Sequence, residues 1–330
     1  MPQVTVKDLA RICGVSRATV DRALHNKAQI SEETKKKVLA AAKQYGYRPD
    51  LLARGLAKGK TQRIGVVAFD MKTAYSVQLL TAIEAEAKRL GYAANITFQD
   101  YDGKLEKSLI RDLVNYRMDG LLLCPVNKGP EFERFLLDLP VPVVTMGHWV
   151  SDKIPLVGIE EYEAGQMVFR HLYQKGYRRI VFTCPAMNQK SAGKNNYIHE
   201  QRLAGLRSQL SAFPDVELLE AYEEELSDSV RLVRGLPPMK TAFFCSGDLP
   251  AMELCLVLKA EGLRIPEDFG VMGFGNIDML RYMEPNIETV DSNISEVGAT
   301  AARLLIERIQ GKSVKTSVSV GYHIVTGNSL

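Results

Sequence analysis

Apolar positions along the chain change their period once, near residue 62. Before that point they fall at helical spacing. Val6, Leu9, Ala10 and Cys13 form one stripe, which predicts a short helix from about Val6 to Ile12. Thr5 supplies its N-cap, and Gly14 supplies the break that a sharp turn needs. Ser16 opens a second helix running to about Leu24. A third begins after Ser31, where "EETKKKVLAAAKQYGY" places acids in the first turn, bases later and Gly46 as a stop. Pro49 closes the unit. Residues 50–60, "DLLARGLAKGK", predict only a weak helix. Gly55 in its middle costs roughly 1 kcal/mol against alanine, and so short a segment is marginal alone in water. It is expected to be helical only when something packs on it.

From Arg63 onward, short continuous apolar runs alternate with amphipathic helical patterns. "RIGVVAF", "AANITF", "GLLLCPV" and "VPVVTMG" make a first round, with helices over 75–90, 104–116 and 130–138 between them. "LVGIE", "RRIVFTC", "VELLEAY", "TAFFCS" and "FGVMGFG" make a second, with helices over 162–175, 198–211, 227–235 and 249–261. Such alternation is the signature of parallel α/β sheets. The expected fold is an all-α helix-turn-helix head followed by an α/β core of two doubly wound parallel-sheet lobes. Ligands of such sheets bind outside the carboxyl ends of the strands, so two sets of strand ends could face one cleft.

Charge sharpens the division. The 330 residues carry a net +3, but residues 1–63 hold 14 Lys+Arg against 5 Asp+Glu, whereas the remainder holds 28 against 34. A basic head on an acidic body points to a polyanionic partner for the head alone. A merely solvated charged tail would lack the head's apolar periodicity. The five cysteines (Cys13, Cys124, Cys184, Cys245 and Cys255) are scattered, mostly within apolar runs and without a C-x-x-C pair. They read as reduced, buried thiols. No apolar run reaches membrane-spanning length and no secretory leader is evident, so a cytoplasmic location without membrane attachment is expected.

Two helices joined by a short glycine-containing turn form a helix-turn-helix. In the second helix, Val20, Ala23 and Leu24 are expected to pack inward and Arg17, Ala18, Asp21 and Arg22 to face outward. Arginine suits a guanine edge in the major groove, while Ser16 and Thr19 suit phosphates near a helix N-terminus. The plainer alternative is a small helical bundle whose arginines are only solvated; the concentration of positive charge weighs against it.

"VKDLARICGVSRATVDRALHN", "SEETKKKVLAAAKQYGYRPD" and "ARGLAKGKTQRIGVV" resemble the lactose-repressor (LacI/GalR) family of bacterial transcriptional regulators. Downstream, "MDGLLLCP", "PVVTM", "RLAG" and "GLRIPEDFGVMGFGN" resemble that family's ligand-binding core, in the same order. The resemblance implies that Arg17, Ala18 and Arg22 face bases and that Ser16, Thr19 and Asn26 lie near phosphates. It also makes Leu56, with Ala53 beside it, a hinge-helix wedge in the minor groove. Asp21 departs from the family's usual serine. A carboxylate there is unfavourable near DNA unless it accepts from a cytosine amine or pairs with Arg17 one turn back. The implied domains are residues 1–49 (DNA binding), 50–61 (hinge) and 62–330 (effector binding and dimerisation). Lobe one would take 62–161 and 292–321, and lobe two 162–291 and 322–330.

In the cleft the chain departs further. Thr73-Ala74-Tyr75 stands where the family often has Asn-Pro-Phe, and Glu160-Glu161 where it has Asp-Asn. Glu200 takes the place of an arginine expected two residues before "RLAG". "SGD" keeps Asp248 but puts Gly247 in place of asparagine, and Gly275 replaces an aspartate. The expected effector contacts are Tyr75, Cys124, His148, Glu160, Glu161, Glu200, Asp248, Asn276 and Asp291, with Trp149 as a further stacking surface. The added acids suggest an effector that carries a positive charge or many hydroxyls. Each residue has a plainer reading as a rim or surface group.

Enzyme readings fare poorly. "GFGNID" lacks the third glycine of a dinucleotide loop, the stretch around "SAGKNN" lacks the first glycine and the Ser/Thr of a phosphate loop, and no H-E-x-x-H or Cys/His cluster occurs. The tail "SVSVGYHIVTGNS" alternates like one exposed strand, giving His323 no special role. The expectation is therefore a homodimeric, sequence-specific repressor of transcription without catalytic residues, metal or cofactor. It would bind double-stranded DNA at a near-palindromic operator and a small-molecule effector non-covalently between the lobes. The rival is a sugar-binding or sugar-modifying protein whose basic head is only an interaction module.

Overall fold

The computed structural model describes residues 4–47, 59–185 and 194–330, apart from the side chain of Glu224. It divides into two compact units, Met1–Thr61 and Gln62–Leu330.

The first unit holds α1 (Val6–Cys13), α2 (Arg17–Leu24) and α3 (Glu32–Gln44). Their ends are set by local chemistry. Thr5 and Asp8 form a reciprocal capping box, so two otherwise orphaned donors are satisfied at once. Gly14 ends α1 at φ 67°, a left-handed position that a Cβ would strain. Ser16 and Ser31 cap the other two helices, accepting from the amides of Thr19 and Thr34 at 3.1 and 3.2 Å. Leu9, Ala10, Cys13, Val20, Ala23, Val38 and Ala41 bury against one another as this unit's core. The hinge residues Ala53 and Leu56 lie outside the described residues.

The second unit carries two six-stranded sheets. The first comprises β1 (Arg63–Ala68), β2 (Ala93–Phe98), β3 (Gly120–Leu123), β4 (Val143–Met146), β5 (Leu156–Gly158) and β11 (Ser317–Ser319). Their spatial order is β11-β5-β4-β3-β1-β2, all parallel. The second comprises β6 (Arg179–Cys184), β7 (Glu217–Tyr222), β8 (Thr241–Cys245), β9 (Gly270–Phe274), β10 (Glu288–Asp291) and β12 (His323–Val325). Its order is β12-β10-β9-β8-β6-β7, parallel except for β12 at the edge. Central strands such as β3, β6, β8 and β9 are buried at every residue, because helices cover both faces.

Helices α4 (Ala74–Arg89), α5 (Gly103–Asn115), α6 (Pro130–Leu137) and α11 (Ile294–Ile309) go with the first sheet. Helices α7 (Glu161–Gln174), α8 (Tyr197–Gln209), α9 (Leu226–Arg234) and α10 (Asp248–Ala260) go with the second. The chain passes between lobes after β5, after β10 and between β11 and β12. Two expectations need correction. "LVGIE", taken as the start of the second round, is β5 and pairs with β4 in the first sheet. The alternating tail is not one strand but two, which leave one sheet for the other around Gly321: Val318 lies beside Val157 and Ile324 beside Val290. Alternation reports half-burial and carries no information about which sheet supplies it.

Candidate functional site

The outward face of α2 is basic and open. Ser16, Arg17, Ala18, Asp21, Arg22 and Asn26 are exposed and Thr19 is half-buried, while Val20 and Ala23 are sequestered beneath. Arg17 and Arg22 form no ion pair among the described residues, so both guanidinium forks are available. Asp21 does not turn back to Arg17. Its carboxylate meets Lys27 Nζ at 2.9 Å and His25 Nδ1 at 3.1 Å, and the His25 ring nitrogen also lies 2.8 Å from the Asp21 carbonyl. The physical reason is the chain reversal after α2, where Asn26 at φ 52° brings Lys27 back to the helix. Ser16 is engaged in capping α2, its hydroxyl 2.9 Å from that of Thr19, at the positive end of the helix dipole.

Between the two sheets lies a cavity of about 460 Å³. Most of its walls stand at carboxyl ends of strands: Phe69 after β1, Tyr101 after β2, His148 after β4, Glu161 after β5, Asp248 after β8 and Phe274 closing β9. Phe69 and Tyr101 stack at 4.9 Å with planes 4° apart, and His148 meets the Phe69 ring edge-on at 5.3 Å. Tyr101 reaches this position because Asp100 and Tyr101 both adopt left-handed backbone, φ 47° and 58°, in the turn after β2. From the second lobe α8 contributes His199 and Arg202.

Arg202 organises the second lobe's wall. Its Nε and Nη2 donate to the two carboxylate oxygens of Glu161 at 2.6 and 3.1 Å, Nη1 donates to the Ser246 carbonyl at 2.7 Å, and the guanidinium lies 3.4 Å above the Phe274 ring. Both partners are buried. The pair is set by a close helix crossing: a Cβ on Gly165 of α7 would stand 2.3 Å from the Arg202 carbonyl, and one on Gly205 of α8 would stand 2.1 Å from the Tyr162 carbonyl. Only glycine at both positions lets the backbones approach this far.

Three further groups of the lining, His148, His199 and Asp248, are shifted towards their neutral forms. Burial first, then the Arg202 charge, pushes His148 down to about 4. Burial, Arg202 and His148 hold His199 well below the usual imidazole range. Burial raises Asp248 to about 6, although the Thr289 hydroxyl at 2.5 Å and the Ile277 amide at 2.9 Å donate to its carboxylate. The Ser246 hydroxyl donates to Glu223 on the same wall.

Of the nine residues expected to contact the effector, Tyr75, His148, Glu161 and Asp248 line the cavity. The other five do not. Cys124 is buried beneath the wall, its carbonyl accepting from Gln99. Glu160 precedes α7, outside the cavity lining. Glu200 faces away and pairs with Lys128 of the first lobe at 3.4 Å. Asn276 and Asp291 bond to each other at 3.0 Å, and Asp291 also accepts from the Asn293 amide. Trp149 stacks on Tyr197, 6.2 Å between centroids, while its carbonyl accepts from Asn195 of the second lobe. Sequence reasoning missed Phe69, Tyr101, His199 and Arg202. The first two follow from the strand-end rule, and Arg202 opens the "RLAG" phrase itself, two residues after Glu200.

These parts define a class: a helix-turn-helix regulator joined to a two-lobed, periplasmic-binding-protein-like core. Residues 5–50 match the bacterial regulatory proteins of the lacI family, and residues 169–330 match the periplasmic binding protein-like domain. The head is thus similar to the lacI family of bacterial regulatory proteins, and the second half of the chain to periplasmic binding proteins. It is 28% identical over 321 residues to the HTH-type transcriptional repressor PurR of Mannheimia succiniciproducens, covering 94% of this chain and 93% of the relative. It is 29% identical over 322 residues to the HTH-type transcriptional repressor CytR of Escherichia coli, covering 94% and 91%. Its fold is similar to that of the lac repressor dimer bound to operator and an anti-inducer, with a TM-score of 0.86, 22% identity and 99% of each chain covered.

Proposed function

We propose that the protein is an effector-controlled transcriptional repressor that acts as a homodimer on a near-palindromic operator. The observation that carries this reading is the open Arg17–Ala18–Arg22 face of α2 on a chain that also holds a ligand-sized cavity between two lobes. Each α2 enters a major groove and reads one half-site. Ala53 and Leu56 act in the minor groove between the halves. A ligand that binds one arrangement of the lobes better than the other shifts the DNA-binding equilibrium by that differential affinity alone. A 100-fold change in operator affinity needs roughly 2.7 kcal/mol of coupling.

The cavity favours an uncharged, hydroxyl-rich effector over a cationic one. Of the five acids expected near it, only Glu161 and Asp248 line it; with Glu223 and Glu253 four acids do, but Glu161 is paired with Arg202, Asp248 accepts from Thr289 and Ile277, Glu223 accepts from the Ser246 hydroxyl, and Lys194 sets a positive charge on the same lining. A flat aromatic wall beside neutral hydrogen-bonding groups suits a sugar ring or a nucleoside. Such a regulator works in the cytoplasm, and no helix among the described residues is long and apolar enough to cross a membrane.

Arg22→Ala is expected to weaken operator binding by about 1–3 kcal/mol and to blur preference at a single base pair. Gel shifts on the operator and on its single-base variants measure this; equal losses on every sequence would reassign Arg22 to phosphate. Head-deleted protein should shift no DNA. If it shifts the operator as the full chain does, the head is only an interaction module and the rival reading stands.

The partner copy is proposed to cover the apolar side chains left on the second lobe's surface. Leu256 of α10 and Tyr282 in the Asp278–Tyr282 turn expose 64% and 81% of their surface. The double variant Leu256→Asp/Tyr282→Asp is expected to sediment as a monomer and to lose operator affinity. A dimer of unchanged strength would place the interface elsewhere.

A further inference from the structure

We propose that His199 is a specificity-determining contact of the effector site, donating a hydrogen bond from Nε2 to a neutral acceptor atom of the ligand: a hydroxyl, carbonyl or ring nitrogen. This rests on the reading of the cavity as the effector site. His199 sits on α8 one turn before Arg202 and lines the cavity. Its Nδ1 is fully buried and has no hydrogen-bond partner among the described residues. The ring's other nitrogen is not among the buried unpartnered atoms, which leaves Nε2 as the edge open to the cavity. A neutral imidazole carries one proton, on one nitrogen or the other. An orphaned buried N–H is rarer in proteins than an under-satisfied acceptor, so the proton belongs on Nε2 and the lone pair on Nδ1.

The ring's surroundings keep it in that form. Arg202 on the same helix and His148 from the first lobe both oppose a second proton, in addition to burial. Glu161 of α7 faces the group through Arg202, whose charge it already engages at both oxygens. The imidazole is therefore a fixed, uncharged donor. It also carries an unsatisfied buried atom that nothing in the fold uses, and such an atom is a liability for stability. A leucine there would remove the liability. Retaining a polar ring at this position makes physical sense if its accessible edge serves a ligand. An ammonium group offers that donor no acceptor, so the same residue discriminates against cationic ligands.

Three measurements on the full-length protein test the assignment. Long-range proton–nitrogen NMR correlations of the ligand-free protein should show Nδ1 unprotonated and Nε2 protonated, unchanged between about pH 8 and about pH 5.5. A proton on Nδ1, or titration within that range, overturns the proposal. His199→Leu should raise the core's Tm by about 2–4 °C without ligand; a lower Tm means the imidazole serves the fold instead. Calorimetric titration with cellobiose and with adenosine, a neutral sugar and a neutral nucleoside, reads the ligand side. Whichever probe the unmodified protein takes should bind about tenfold more weakly to His199→Leu and within about threefold of normal to His199→Gln, whose amide keeps a donor. Unchanged affinity in His199→Leu overturns the contact. If the unmodified protein takes neither probe, that counts against the uncharged-effector reading, and the tautomer and Tm results then decide the role of His199 alone.

Discussion

Gly205→Ala is expected to cost the core about 3 kcal/mol or more and to abolish tight effector binding. Adding one methyl group to a packed interior typically costs about 1–3 kcal/mol, because neighbouring side chains can give way. Here the neighbour is backbone. The new Cβ would stand 2.1 Å from the Tyr162 carbonyl oxygen and 3.1 Å from the Gln166 nitrogen, so α7 and α8 must separate as bodies. Their separation would draw Arg202 on α8 away from Glu161 on α7, a contact that depends on distances of 2.6 and 3.1 Å. Fold stability and site geometry should therefore fall together. Gly235→Ala is the control: its φ of −76° suits any residue, and the nearest atom to a new Cβ is 3.4 Å away. It should unfold within about 0.5 kcal/mol of the parent or slightly later. Urea unfolding of both variants checks the contrast. If Gly205→Ala unfolds like the parent, the crossing is looser than these distances say.

The parts of the molecule that were legible in sequence are those fixed by neighbours in sequence. Thr5 with Asp8, Ser16 with Thr19, Ser31 with Thr34 and the turn at Gly14 are interactions across three or four residues, and they set the head's helices. The alternation of buried strands and amphipathic helices is also local, and it fixed the α/β core. The family resemblance brought Tyr75, His148, Glu161 and Asp248 to a cleft, and the strand-end rule would have added Phe69 and Tyr101. Pairing over long separations was not legible. Glu161 is engaged by a residue 41 positions away and Glu200 by one 72 positions away, so counting acids near the cleft overstated its negative charge. One cue for the Glu161–Arg202 pair was present. Each charge stands three or four residues before a glycine, Gly165 or Gly205, and glycine inside a helix costs stability unless another backbone needs the space.

Removing one member of that pair should be far worse than removing both. Arg202→Met leaves the Glu161 carboxylate buried without its counter-charge, and breaking such a pair costs about 3–5 kcal/mol. In Glu161→Met/Arg202→Met neither charge remains to be desolvated, and the loss should shrink to about 1–2 kcal/mol, mostly from the Ser246 and Phe274 contacts of the guanidinium. The histidines give an independent readout. Arg202 is one of the charges that depress His148 and His199, so in the double variant both should titrate closer to the usual imidazole range. Urea unfolding of the single and double variants, with NMR titration of the imidazoles, measures all of this. A single variant no worse than the double would show that Glu161 finds water or another donor when Arg202 is gone, and that the pair does not hold the two helices in register.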